Sequence, residues 1–246
     1  MKKRAIVMGA TSGIGREVAQ QLAKKGWLVG IAGRRTERLL ALEQETEGIV
    51  GHKQIDVTSA EAPELLLELI GELGGMDLYF HSSGIGWQNN LLDAEKERLT
   101  LETNGTGFVR MVDAAFNWLA EHATTGKKGR IACITSIAGT KGLGAAPAYS
   151  ATKRMQNHYL ECLDQMARMR HLPIRITDIR PGFVKTDLIA GSPYPLQLQP
   201  EDVARHIVRA VEKGKSVCTI DWHYRILVSL WRLIPRWLWV RLPITT

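Results

Sequence analysis

Two hydrophobic patterns alternate along the chain from its first residues to about residue 220. Apolar runs of strand length occur in "RAIVMG", "WLVGIAG", "VGHKQIDV", "DLYFHSS", "RIACITS", "IRITDIR" and "VCTID". Longer amphipathic stretches with helical periodicity separate these runs. Strands that alternate with helices form parallel sheets whose two faces are both covered. The pattern predicts a doubly wound α/β fold, with a seven-stranded parallel sheet and helices on both faces.

Local signals add some of the element boundaries. Thr58 and Glu61 have the spacing of a capping box that would open the helix in "SAEAPELLLELIGEL". Gly26 is expected to end the helix before "WLVGIAG". Because no linker or repeat interrupts the 246 residues, we predict a single dinucleotide-binding and catalytic domain over residues 1–246. Residues 221–246 form its tail, rich in tryptophan and arginine.

Composition narrows the class of protein. The formal net charge is +7, but the basic residues are dispersed and no nucleic-acid-binding motif accompanies them. An anionic small ligand or a membrane surface explains the charge as well. Cys133, Cys162 and Cys218 lie far apart, which indicates buried thiols rather than a metal site or disulfides. The start "MKKRAIVMGA" is too short in apolar residues for a signal peptide, so we expect a cytoplasmic protein.

A glycine-rich turn follows the first predicted strand. In "MGATSGIGREVAQQLAKKG", Gly9, Gly13 and Gly15 lie between a strand and a helix, with the spacing G-x-x-x-G-x-G. Glycines let the backbone approach a pyrophosphate, whose charge the helix N-terminus stabilises. Such a turn predicts a dinucleotide site, although glycines there also serve close packing alone.

The stretch "AYSATKRM" puts Tyr149 four residues before Lys153. In a helix these positions share one face, so the hydroxyl and the ammonium group meet. A cation beside the phenol favours the phenolate and brings proton transfer nearer to neutral pH. The pair predicts an acid–base site.

Five motifs occur in a characteristic order. They are "GATSGIG", "ETNGTG" with Asn104, "CITSIAG" with Ser136 thirteen positions before Tyr149, "YSATK", and "PGFVKT" at 181–186. Over residues 3 to 220 the chain thereby resembles the short-chain dehydrogenase/reductase (SDR) family. The resemblance implies a Rossmann-type fold, NAD(P)-dependent oxidoreductase activity on CH–OH and C=O groups, and a homo-oligomer, dimer or tetramer.

The resemblance also implies a catalytic set, which consists of Asn104, Ser136, Tyr149 and Lys153. Tyr149 is the expected proton donor to the alkoxide that hydride addition creates. Lys153 can also hold ribose hydroxyls, and the Ser136 hydroxyl can position the substrate oxygen. Asn104 is expected to hold a water that links Lys153 to solvent. Alternatively, Asn104 is an amide that kinks a helix next to Gly105 and Gly107.

Matching the family's cofactor motifs residue by residue gives the cofactor set. It comprises Gly9, Thr11, Ser12, Gly13, Ile14, Gly15, Arg34, Arg35, Asp56, Val57, Ser83, Gly84, Tyr149, Lys153, Pro181, Gly182, Val184 and Thr186. In "IAGRRTERL", Gly33 stands where NAD-binding turns carry a carboxylate, and the two arginines after it suit a 2′-phosphate. NADP is therefore favoured over NAD. In the alternative, Glu37 serves the ribose and the arginines are solvated.

One departure from the family pattern is "HSSG" at residues 81–84, where two amides are usual. His81 at this strand end is expected to be a core residue rather than a catalytic one.

The substrate is less well defined. The segment "DLIAGSPYPLQLQP" after Thr186 is expected to be a moderately apolar flap over the pocket. We predict an NADPH-dependent reduction of an apolar or lipid-like ketone. The alternatives are a nicotinamide-binding regulatory or scaffold protein without turnover, and an epimerase or dehydratase on the same fold.

The tail "WHYRILVSLWRLIPRWLWVRLPITT" has an amphipathic pattern. Arg225, Arg232 and Arg236 share one side of a helical wheel, and the other side carries Ile226, Leu227, Leu230, Leu233, Ile234, Trp237 and Leu238. The tail is expected to pack on the protein, over the pocket or against another subunit, or to lie in a membrane interface.

Overall fold

Seven parallel strands form one sheet in the computed structural model, which describes residues 2–122, 128–189, 194 and 196–244. The strands are β1 (Arg4–Met8), β2 (Leu28–Gly33), β3 (Ile49–Gln54), β4 (Leu78–His81), β5 (Gly129–Ile134), β6 (Ile174–Pro181) and β7 (Val217–Ile220). The helices are α1 (Gly13–Lys24), α2 (Thr36–Glu45), α3 (Ala62–Glu72), α4 (Ala94–Leu101), α5 (Phe108–Glu121), α6 (Pro147–Met169), α7 (Pro200–Glu212), α8 (Trp222–Leu233) and α9 (Arg236–Trp239). A π-helical turn, Glu102–Gly107, joins α4 to α5.

The strand order is β3-β2-β1-β4-β5-β6-β7, which confirms the predicted doubly wound sheet. Ile6 of β1 pairs with Gly30 of β2 on one side and Tyr79 of β4 on the other. The chain therefore adds β2 and β3 on one side of β1, and then returns to add β4 and the later strands on the other side. The switch point lies between β1 and β4. In such sheets the ligand crevice lies at this switch point, beyond the carboxyl ends of the strands.

Each face of the sheet has its own apolar layer. On one face, α1, α2 and α7 bury Val18, Leu22, Leu39, Leu42, Val203 and Ile207 against the strands. On the other, α3, α5 and α6 bury Leu66, Leu69, Met111, Phe116, Leu160 and Leu163. The strands are buried from both sides, which explains their continuous apolar runs.

Helix boundaries follow backbone chemistry more than the sequence signals suggested. Helix α1 ends at Lys24, and Gly26 follows with a φ of +83°, as expected for a C-terminal glycine. The prediction of a capping box is wrong, because α3 begins only at Ala62. The side chain of its N-cap residue, Glu61, makes no capping hydrogen bond. The Thr58 hydroxyl and backbone N–H both donate to Asp56 Oδ1 instead, at 2.8 and 3.0 Å.

The cysteines differ in their exposure. Cys133 is buried and Cys218 half-buried, but Cys162 is exposed on α6, so the prediction of three buried thiols is wrong there. An outward position on a helix that is buried along another face explains this. Within the described ranges, no helix has both the length and the apolar content needed to cross a membrane.

Candidate active site

Helix α6 carries the tyrosine–lysine pair. Pro147 occupies its first turn, where a missing N–H costs nothing, so Tyr149 and Lys153 lie in the first two turns. The Lys153 Nζ atom lies 5.7 Å from the centre of the Tyr149 ring. Ser150, on another face of the helix, donates to the Ala138 carbonyl at 2.8 Å and fixes α6 against the loop after β5.

Ser136 lies on that loop, immediately after β5. Its Oγ accepts from the Ala138 N–H at 3.0 Å, and its hydroxyl lies close enough to Tyr149 to lower the pKa of that phenol. Gly139 allows the close approach to α6, because a Cβ there would lie 2.6 Å from the Lys153 carbonyl oxygen. The loop and the helix thus bring the serine and tyrosine hydroxyls together.

The pKa of Tyr149 differs from the expected direction. Burial raises the pKa, the neighbouring Ser136 hydroxyl lowers it, and the nearby Tyr194 raises it, so the pKa lies above its usual value. Lys153 is 4% exposed, and its ammonium donates to the Ile134 carbonyl at 3.1 Å and to Gln156 Oε1 at 3.0 Å. Burial lowers the pKa of Lys153 to about 8.

Asn104 sits in the π-helical turn, a local distortion that occurs often at functional sites. It is fully buried; its Oδ1 accepts from the Ile85 N–H at 2.9 Å, and its Nδ2 donates to the Ile85 carbonyl at 2.6 Å. Its own backbone carbonyl accepts from Gln156 Nε2 at 2.8 Å. Gln156 therefore bridges Lys153 and Asn104. Sequence analysis missed this residue, although its position three residues after Lys153 puts it on the same helix face.

The glycine-rich turn meets the end of β4. Gly9 has a φ of +86°, and a Cβ there would lie 2.7 Å from the Ser83 nitrogen. A Cβ at Gly15 would lie 2.2 Å from the Gly9 carbonyl oxygen, so the turn closes tightly on the start of α1. The Thr186 methyl group would lie 2.9 Å from a Cβ at Gly13. Neither Gly9 nor Gly15 has room for a side chain, because a Cβ at either position would overlap backbone atoms.

Arginines surround the outer end of this turn. Arg35 donates to Thr11 Oγ1 at 2.7 Å and to Ser12 Oγ at 2.8 Å. Arg38, one turn further along α2, was not singled out from the sequence. Its Nη1 lies 3.6 Å from Asp187 Oδ2, and Arg35 Nη1 lies 3.7 Å from the same oxygen.

The position that is acidic in NAD-binding turns, Gly33, is packed, whereas the neighbouring charged residues are not. A Cβ at Gly33 would lie 2.8 Å from the Thr11 methyl group, which leaves no room there for a carboxylate side chain. Arg34 and Glu37 are both exposed.

The other expected cofactor residues lie around the same edge of the sheet. A Cβ at Gly84 would lie 3.2 Å from Asn104 Oδ1 and 3.6 Å from Lys153 Nζ. Asp56 Oδ1 accepts hydrogen bonds from the backbone N–H and the hydroxyl of Thr58. The remaining members are Ile14 and Val57, both buried, Pro181 at the end of β6, and Gly182 and Val184 just beyond it.

His81 occupies a core position at the end of β4. It has no exposed surface, and its Nδ1 is 2.8 Å from the Tyr79 hydroxyl. Its ring meets Phe108 edge-on at 5.2 Å. Burial lowers its pKa to about 3, which keeps the ring neutral near neutral pH. No group of three His, Cys, Asp or Glu side chains among the described residues could hold a metal ion.

Aromatic rings line the side of the site that faces the predicted flap. Phe183 and Tyr194 stack at 4.1 Å, and Tyr224 meets Phe183 edge-on at 6.2 Å. The Tyr194 hydroxyl accepts from Gln88 Nε2 at 3.0 Å, which joins the flap to the loop after β4. Residues 190–193 and 195 of the flap lie outside the described residues.

The tail packs beside this aromatic group. Tyr224 and Val228 are buried against Ile137, next to Ser136. Trp231 Nε1 donates to Thr140 Oγ1 at 2.8 Å. The apolar residues grouped on one side of the wheel are instead largely exposed, including Ile226, Leu227, Leu230 and Leu233. The helix is anchored by its aromatic side, because only there do indole and phenol groups find hydrogen-bond partners.

Comparison with known proteins gives a consistent result. The family model of the short chain dehydrogenases matches residues 3–193. An uncharacterized oxidoreductase of Myxococcus xanthus is 32% identical over 241 residues, which cover 95% of this chain and 93% of that protein. A Xenopus laevis protein named dehydrogenase/reductase SDR family member 7B is 29% identical, with 94% of this chain and 77% of that protein covered.

Two solved structures share the fold. A short-chain type dehydrogenase/reductase from Mycobacterium ulcerans has a TM-score of 0.79 at 24% identity, covering 91% of this chain and 90% of that one. A variant of actinorhodin polyketide ketoreductase, solved with NADPH, has a TM-score of 0.76 at 25% identity, covering 89% of this chain and 95% of that one.

Proposed function

The chain belongs to the short-chain dehydrogenase/reductase family and is an NAD(P)-dependent oxidoreductase of CH–OH and C=O groups, and on this premise we propose that it reduces an apolar or lipid-like ketone with NADPH. The observation that carries the proposal is the convergence of Ser136 and Tyr149 at one point, with Lys153 one helical turn behind. That set supplies a proton where an alkoxide develops.

Four residues act in the proposed reduction. The Ser136 hydroxyl orients the substrate oxygen, and Tyr149 donates its proton to that oxygen as negative charge develops. The raised pKa of Tyr149 keeps the phenol protonated, as an acid in the reductive direction requires. Lys153 then returns a proton to Tyr149. Gln156 accepts a hydrogen bond from Lys153 and donates one to the Asn104 carbonyl, which holds the lysine side chain in place.

The residues present fit NADPH. The glycine-rich turn, which has no room for side chains at Gly9 and Gly15, would hold a pyrophosphate at the N-terminus of α1, and Arg35 and Arg38 offer charged donors for a 2′-phosphate. A side chain at Gly84 would crowd Asn104 and Lys153, so the glycine keeps the side of Lys153 clear, and Lys153 would contact the nicotinamide ribose. When bound, NADPH supplies the hydride that adds to the carbonyl carbon. The actinorhodin ketoreductase relative solved with NADPH supports the same choice of cofactor.

The substrate class rests on the aromatic side of the site. Phe183 and Tyr194 are half-buried and present ring surface to a bound molecule, and Tyr224 and Ile137 are buried behind them. Concave sites lined in this way favour apolar ligands that carry few polar groups. The proposed substrate is therefore a ketone with an extended apolar body.

The test is NADPH oxidation with a panel of diketones, 3-ketoacyl thioesters, ketosteroids and keto-sugars. We expect turnover with an apolar member of the panel. Tyr149→Phe should reduce kcat by about 10²- to 10⁴-fold and leave NADPH binding unchanged, because general acid catalysis has this magnitude.

Tyr159→Phe is the matched control on the same helix, since the Tyr159 hydroxyl donates to Asp113 away from the site. It should keep wild-type turnover. NADPH binding by thermal shift without turnover on any ketone would instead identify a regulatory or scaffold protein. Wild-type turnover in Tyr149→Phe would contradict the assigned proton donor.

A further inference from the structure

The tail, residues 222–244, is held on the protein by one side only. Tyr224, Val228 and Trp239 are buried, and Trp239 Nε1 donates to the Gly142 carbonyl at 2.7 Å. Lys141 Nζ donates to the Ile234 carbonyl at 2.6 Å, between α8 and α9. These contacts fix the orientation of the tail, so its opposite side is a defined surface.

That opposite side is apolar. In α8, Trp222, Ile226, Leu230 and Leu233 follow each other at spacings of four, four and three residues, which is one helical stripe. They are 57%, 51%, 60% and 79% exposed. Trp237 and Val240 continue the exposed apolar surface at 63% and 62%. An apolar stripe of this kind, next to a well-packed inner side, marks an interaction surface. We call these six residues the outer face.

Positive charge flanks the outer face. Arg225, Arg232, Arg236 and Arg241 are exposed, and the sequence from residue 222 to residue 246 contains no aspartate or glutamate. In α8, Arg225 and Arg232 are seven residues apart and lie beside the apolar stripe. Long arginine side chains next to a tryptophan-bearing apolar stripe are typical of helices that lie in the interface of an anionic membrane.

Charge also decides between a membrane and a second copy of the chain. If two outer faces met across a twofold axis, the four arginines of each copy would face one another, and residues 222–246 supply no aspartate or glutamate to separate them. Like charges brought together in this way oppose association. Anionic lipid headgroups, by contrast, complement the arginines while the apolar stripe enters the boundary of the acyl chains.

We propose that the outer face docks the enzyme on the surface of a membrane that contains anionic lipids. The inner side of the same helix packs against Gly182 and Phe183 through Tyr224, so docking places the aromatic entrance of the site at the lipid surface. Binding itself is independent of the proposed ketone reduction, because the outer face contributes no group to the catalytic set.

The test is co-sedimentation of the full chain with vesicles of phosphatidylcholine, either alone or mixed with phosphatidylglycerol. We expect strong binding to the anionic vesicles, weak binding to the neutral ones, and a decrease as salt is raised. The variant Leu230→Ser/Leu233→Ser/Trp237→Ser should lower the partition coefficient roughly tenfold or more, because it removes three inserted side chains. Arg232→Gln/Arg236→Gln should reduce the preference for anionic vesicles.

The matched control carries the same kind of change at exposed apolar residues elsewhere, Leu91→Ser/Leu101→Ser/Met169→Ser, and should bind as the wild type does. Ketone reduction in solution should survive in the outer-face variant, which separates this proposal from the proposed function. Equal sedimentation of the wild type and the outer-face variant would overturn the proposal. So would light scattering that shows an oligomer in the wild type and a monomer in the outer-face variant, because the occupant would then be a second copy.

Discussion

Lys153 is a buried ammonium whose protonation depends on a few neighbouring dipoles. Burial lowers its pKa to about 8, while the Ile134 carbonyl and Gln156 Oε1 accept hydrogen bonds from the charged form. A hydrogen bond to the charged form of a base raises its pKa. Gln156 therefore opposes the effect of burial, and it holds Lys153 in register with Asn104 through its own Nε2.

This contact predicts opposite shifts in two Gln156 variants. Ketone reduction needs the protonated lysine, so kcat/KM should fall as the pH rises through the pKa of Lys153, near 8. Gln156→Leu removes an acceptor and should move this fall to lower pH by roughly one unit. Gln156→Glu adds a carboxylate acceptor and should move it to higher pH.

The measurement is the pH profile of kcat/KM with a ketone substrate at saturating NADPH. Gln21→Leu, which removes a half-buried glutamine of α1 that donates to the Glu201 carbonyl, should leave the profile unchanged. If both Gln156 variants keep the wild-type profile and only lose stability, the residue serves packing alone.

Sequence reasoning at this scale identified Tyr149 and Lys153 because their spacing is a local property of a helix. It did not identify Gln156, because a glutamine on a helix is ordinarily solvated and only the π-helical turn brings the Asn104 carbonyl to it. The raised pKa of Tyr149 was also out of reach. Its depth in the folded protein outweighs the neighbouring charge, and depth is not written in the spacing.

At the scale of elements, the start of α2 and the glycine-rich turn together form the outer part of the proposed cofactor site. Arg35 crosses back from α2 to Thr11 and Ser12, and Arg38 follows on the next turn of the helix. The Thr11 methyl group fills the space beside Gly33 where an acidic side chain would otherwise stand. The two elements therefore present positive charge where the proposed 2′-phosphate would bind.

The expected consequence is a selective loss in Arg35→Ala/Arg38→Ala. NADPH affinity should fall by about 1.5–3 kcal/mol for each lost charged hydrogen bond, whereas NADH affinity should change little, because NADH lacks the 2′-phosphate. Thermal-shift titration with each cofactor measures this. Arg98→Ala is a remote control whose arginine pairs with Glu95 and Glu102. An equal loss for both cofactors would exclude a phosphate contact.

Elements were predictable where the pattern is long. The seven strands and their order along the chain follow from buried apolar runs, and the sheet has them all. The prediction of a capping box at Thr58 failed because the Thr58 hydroxyl donates to Asp56 Oδ1, two residues earlier, and α3 begins only at Ala62. Arg38 was missed because nothing in "RRTERL" distinguishes a phosphate-facing arginine from a solvated one.

At the scale of the whole molecule, the tail contacts two segments beside the candidate active site. Trp231 and Trp239 bind the loop after Ser136, while Tyr224 packs on the segment after β6. Sequence periodicity predicted an amphipathic tail whose apolar side contacts either protein or a membrane, but it did not identify the side that packs on this chain. It could not identify the aromatic side, because the partners that satisfy those rings come from residues 140, 142 and 196, far away in the chain.

Tyr224 is the centre of this attachment, and a graded series of variants measures its contribution. The Tyr224 residue is 3% exposed, and its ring packs on Gly182 so closely that a Cβ there would lie 2.2 Å from Tyr224 Cε2. The Tyr224 hydroxyl donates to the Leu196 carbonyl at 3.0 Å. Tyr224→Phe keeps the ring and should lower the free energy of unfolding by about 0.5–1.5 kcal/mol. Tyr224→Ala leaves a cavity and should lower it by about 3–5 kcal/mol.

Trp222→Ala is the matched control two residues away, since Trp222 is 57% exposed and should change the free energy of unfolding by less than about 0.5 kcal/mol. Chemical denaturation of the three variants gives the order. Because Tyr224 supports Phe183, Tyr224→Ala should also raise KM for an apolar ketone more than it lowers kcat. If Tyr224→Ala and Trp222→Ala prove equally mild and leave KM unchanged, the tail does not brace the substrate side of the site. If only KM responds, Tyr224 orders the entrance without contributing to global stability.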